Sequence, residues 1–90
     1  MSPWDLIESI YARPQQLLPG NVRRITWQQL RCLRDLIDRD YPGELRGDGP
    51  NRQVWPPRGP VRYVIVEDPA GKAHRLEKLM NVGAAMPSLF

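Results

Sequence analysis

Two stretches of the chain repeat their apolar residues with a helical period, and a third alternates with the period of a strand. In "SPWDLIESIYAR", residues 2–13, Trp4, Leu6, Ile7, Ile10 and Tyr11 fall on one side of a helical wheel and Asp5, Glu8 and Ser9 on the other. Ser2 stands as N-cap, Pro3 at the first helical position and Asp5 three residues after the cap, while Pro14 discourages helix beyond about residue 12. The second period runs over about 27–40, with Leu30, Leu33, Leu36 and Ile37 as its buried stripe. Thr26 caps it, Gln29 closes a capping box, Ile25 and Leu30 occupy the positions of a hydrophobic staple, and "YPG" stops it.

The strand period lies in "VRYVIVEDPAGKAHRLEKL", which reads as a β-hairpin with Pro69 and Gly71 in its turn and positive φ assigned to Gly71. If Asp68 pairs with Lys72, Val64 and Val66 share a face with His74 and Leu76, and that face is the expected core side. A lone hairpin is marginal, so "RQVW" at 52–55 is the candidate third strand. Between the helices, 14–18 suggests a short helical turn and Pro19-Gly20 a turn, with Leu17, Leu18 and Val22 folding back onto the core. Residues 41–60 hold nine Pro or Gly, the pattern of a loop, and the tail 81–90 has no period. The expected fold class is α+β, in the order α-α-β-β, as one small domain over 1–90.

Composition narrows the chemistry. The chain has 90 residues, 41% of them hydrophobic, which suffices for one core but contains no apolar run near the roughly 18 residues of a membrane span. Asp5 and Glu8 interrupt what a signal peptide would keep basic and then apolar, so the expectation is a cytoplasmic protein without a membrane partner. One cysteine, Cys32, and one histidine, His74, exclude an internal disulfide and the usual four-ligand zinc site; no cofactor is expected. Neither residue has a second nucleophile, base or histidine in its pattern, and no small-molecule substrate is evident. The chain is therefore expected not to be an enzyme.

Charge gives the functional expectation. The net charge is +3, and 46–62 alone carries Arg46, Arg52, Arg58 and Arg62 against Asp48. The helix over 27–40 instead places Arg31–Asp35, Asp35–Arg39 and Arg34–Asp38 at i,i+4, where they compensate one another. Arg23 and Arg24 precede the positive end of that helix and add to the uncompensated charge. Arginine pairs bidentately with phosphate, and Trp55 is read either as a base-stacking platform or as the anchor of the loop in the core. These seven residues, Arg23, Arg24, Arg46, Arg52, Trp55, Arg58 and Arg62, form the candidate polyanion site. The expected function is a basic binding module that engages nucleic acid through the arginine-rich loop, or else an adaptor that docks an acidic or groove-bearing protein through it.

Other patterns weigh less. "RGD" at 46–48 recurs by chance in Gly-rich loops, and the "PRGPVR" run at 57–62 matches a polyproline ligand but also reads as the end of a loop and the start of a strand. The element order also permits a winged helix, with Gln28, Gln29 and Arg31 reading bases and Lys72 at the wing tip.

Overall fold

Ser2 and Thr26 each open a helix by the reciprocal pairing that their spacing predicts. In the computed structural model, which describes residues 1–14 and 21–80, Ser2 Oγ accepts from the Asp5 amide at 3.2 Å and the Asp5 carboxylate accepts from the Ser2 amide at 2.9 Å. Thr26 and Gln29 repeat this at 3.0 and 2.8 Å. Orphan amides at each helix start are thereby satisfied, and the helices run over α1 (Pro3–Ala12) and α2 (Trp27–Asp40). Both ends agree with the sequence reading. The turn expected within 14–20 and the tail 81–90 lie outside the described residues, apart from Pro14.

The strands are β1 (Val22–Arg24), β2 (Arg46–Gly47), β3 (Arg52–Trp55), β4 (Val61–Val66) and β5 (Arg75–Met80). They form one antiparallel sheet in the order β1-β5-β4-β3-β2. The fold is α+β as expected, but with five strands rather than a hairpin and one addition. "RQVW" is the third strand, β3. The loop assigned to 41–60 is in large part a second hairpin: β2 and β3 pair across a turn at 48–51, where the Asp48 amide donates to the Arg52 carbonyl at 3.0 Å. β1, which the sequence left as a connection, closes the far edge by pairing with β5.

The β4–β5 register differs by one residue from the expected one. Val66 lies opposite Arg75 and Ile65 opposite Leu76, so the core face of the hairpin carries Tyr63, Ile65 and Leu76, not Val64 and Val66. The cause is the turn. Asp68 does not pair with Lys72 across the ladder; its carboxylate accepts the amides of Ala70, Lys72 and Ala73 at 3.1, 3.0 and 2.9 Å, winding the chain into a wider connection. Its own amide donates to His74 Nδ1 at 3.1 Å, and Gly71 takes the expected positive φ, +75°.

Both helices pack on the face so defined. Leu6, Ile7 and Ile10 of α1 and Leu30, Leu33, Leu36 and Ile37 of α2 share one core with Ile25, Trp55, Tyr63, Ile65 and Leu76. Each large aliphatic side chain removed from water there contributes roughly 1.5–3 kcal/mol before its entropic cost. The Tyr11 hydroxyl ties α1 to the sheet edge by donating to the carbonyls of Asn21 and Leu76 at 2.8 and 3.2 Å, and burial raises its pKa above the ordinary phenol value. The winged-helix arrangement is not formed, because the β4–β5 hairpin is the centre of the sheet under both helices rather than a wing beyond them. Gln29 is engaged in the α2 cap.

Candidate polyanion-binding face

Side chains alternate along a strand, so a sheet with both helices on one face presents every second residue to the other. The antiparallel registers fix that second set. Arg24 of β1 lies opposite Arg75 of β5, Arg75 opposite Val66 of β4, and Val66 opposite Arg52 of β3, making one row across four strands. With neighbouring strands about 4.8 Å apart, Arg24 and Arg52 are separated by roughly 14 Å. The next row is Val22, Glu77, Val64, Val54 and Arg46, and a third pairs Leu79 with Arg62. Five arginines from five strands therefore share a face whose strand positions contribute one carboxylate, Glu77.

Their partners leave much of this charge available. The Arg75 Nε lies 3.3 Å from Glu77, and Arg52 Nη2 is 3.7 Å from Asp48 in the adjoining turn. Both pairs are partly exposed, where such contacts are weak. Arg24 and Arg46 are exposed, and Arg62 is half-buried with a solvent-shielded Nε that meets no hydrogen-bond acceptor among the described residues. Between the arginines the face is apolar: Val64 and Val66 are buried and Val54 half-buried, while Leu79 is exposed beside Arg62.

The expected site residues divide by face rather than by their place in the sequence. Arg46, Arg52 and Arg62 come together, with Arg24, on the second sheet face. Arg58 is exposed in the turn between β3 and β4. Arg23, next to Arg24, points the other way; its guanidinium lies 4.9 Å from the Tyr11 ring centre and Nη1 donates to the Val22 carbonyl at 3.1 Å. Trp55 is 1% exposed, packed against Trp4 and Tyr41 at ring-centre distances of 4.5 and 5.2 Å. It anchors β3 and offers no face to a base. Its partner in the alternation, Val54, faces the arginines instead.

Arg75 is absent from the expected site residues, although the alternation in "RLEKL" already puts it with Glu77 on the face away from the core. The one-residue shift changes the face of β4 instead, so that Val64 and Val66, rather than Tyr63 and Ile65, accompany Arg75. The expected pairing along α2 is also different: Arg34 leaves Asp38 for Glu67 at 2.7 Å and Gln53 at 2.6 Å, clamping the helix to the sheet, and Arg39 pairs with Asp40 at 2.6 Å. Among the described residues no group of three or more His, Cys, Asp or Glu side chains is placed to hold a metal ion, and no helix is long and apolar enough to cross a membrane. Comparisons of the chain with protein-family models, with curated proteins and with solved structures find no match.

Proposed function

We propose that the protein is a non-enzymatic nucleic-acid-binding module that holds the phosphate backbone on the sheet face opposite its helices. The observation that carries this reading is the convergence of Arg24, Arg46, Arg52, Arg62 and Arg75 on that face around an apolar centre. The sheet's large aromatics, Trp55 and Tyr63, are on the helix side. Affinity on the arginine face would therefore come from charge-assisted hydrogen bonds to phosphate, with little discrimination among bases. An acidic protein segment is the second reading, favoured by exposed Leu79 beside Arg62.

Salt titration tests the proposal. Binding of a single-stranded oligonucleotide should weaken linearly in log salt, and replacing Arg24, Arg52 and Arg75 by Gln should flatten the slope by about two units at ~0.7 per phosphate contact. Replacing Arg31 and Arg39 on α2 should leave the slope nearly unchanged. If the two variants lose slope equally, or if poly-glutamate binds more tightly than the oligonucleotide, the nucleic-acid reading fails.

A further inference from the structure

At the β2 end of the face lies a depression of about 280 Å³, lined by Arg46, Gly47, Asp48, Val54, Pro57, Arg62 and Leu79. Two arginines thus border one small space. Asp48 also lines it, within 3.7 Å of the Arg52 guanidinium. Arg62 contributes the most specific feature: its Nε is removed from solvent and has no acceptor among the described residues. That donor is closed to an anion as it is to water, so Arg62 would hold an anion in the depression through the remaining N–H donors of its guanidinium.

We infer that this depression is a site for a phosphomonoester at the end of a nucleic-acid strand, which rests on the face being the nucleic-acid surface proposed above. Three properties select that ligand. A phosphomonoester carries close to two negative charges at neutral pH, about twice an internal diester, and so matches two arginines that border one space. Its additional terminal oxygens suit the planar fork of donors that each arginine presents. The site lies at the edge of the sheet, where the face ends in the two-residue strand β2, and Val54, Pro57 and Leu79 supply an apolar surface for the terminal sugar and base. A strand lying across Arg24, Arg75 and Arg52 would then end at Arg46 and Arg62.

The test compares four probes: a short single strand with a 5′-phosphate, with a 3′-phosphate or with hydroxyls at both ends, and a nucleoside 5′-monophosphate alone. One phosphorylated end should bind roughly tenfold or more tightly than the hydroxyl strand, the scale of one or two charge-assisted hydrogen bonds, and the 5′ and 3′ arms tell which end is used. Arg62→Gln and Arg46→Gln should each remove that preference, whereas Arg24→Gln, on the same face but outside the depression, should weaken all three strands alike and keep it. Arg62→Lys, which keeps the charge but loses the fork, should restore only part of it. The monophosphate should shift the amide signals of Gly47, Asp48 and Leu79. Equal binding of all three strands, or a preference that survives Arg62→Gln, overturns the inference while leaving the face reading intact. Failure of every strand to bind, with the monophosphate still shifting those amides, would instead overturn the face reading and keep the pocket.

Discussion

Trp55 shows how residue identity alone misleads about role. A tryptophan between prolines in an arginine-rich segment suits either a stacking platform or an anchor, and only the register of β3 on β4 decides between them: opposite Tyr63, it faces the helices. Trp55→Ala should accordingly cost about 3–5 kcal/mol in chemical denaturation, the range for emptying a large aromatic from a core. A cost below about 0.5 kcal/mol, as at surface sites, would contradict its placement. Arg23 and Arg24 make the same point in two adjacent residues, one over the Tyr11 ring and the other beside Arg75. In a loop they count as one basic pair; in a strand they belong to opposite faces.

The elements with strong local signals were legible, and those held by long-range pairing were not. Both capping boxes, the bounds of α2 and the positive φ of Gly71 follow from side chains within a few residues of one another. β1 and β2, at three and two residues, are too short for a period and exist because a neighbouring strand offers its edge. The hairpin register failed for a related reason: the Asp68 side chain gathers three amides and lengthens the turn, and a one-residue change exchanges the faces. Gly71→Val should therefore cost about 1–2 kcal/mol, because a β-branched residue resists the left-handed region, whereas Ala70→Val on the exposed turn should stay within about 0.5 kcal/mol. Equal costs would mean that the turn is not built this way. The same amides, Ala70 foremost, hold the Asp68 carboxyl below its ordinary range. A depressed folded pKa gives stability that is complete above the unfolded value, near 3.9, and is lost as pH falls through the folded one. Asp68→Asn should remove this part of the acid dependence below about pH 4, leaving the parts due to Asp5 and Asp40, whose carboxyls are also lowered. An unchanged acid limb in thermal melts would contradict the turn network.

For the whole molecule, the sheet converts a dispersed charge excess into a surface. In the sequence the uncompensated arginines crowd into 46–62 and suggest a binding loop; in the fold Arg46, Arg52 and Arg62 stand on three strands and are joined by Arg24 and Arg75 from two more. The helices cover the opposite side, and Arg34, bound to Glu67 and Gln53, stays with them. The proposed nucleic-acid surface is this sheet face and not α2. Following the backbone amide signals of the protein as a single-stranded oligonucleotide is added at low salt shows which of the two is bound. Binding on the arginine face predicts shifts at Arg24, Arg52, Val54, Arg62 and Arg75, on β1, β3, β4 and β5, with Gln28, Arg31 and Asp35 of α2 unmoved. Shifts confined to the start of α2, with the sheet signals still, would contradict it.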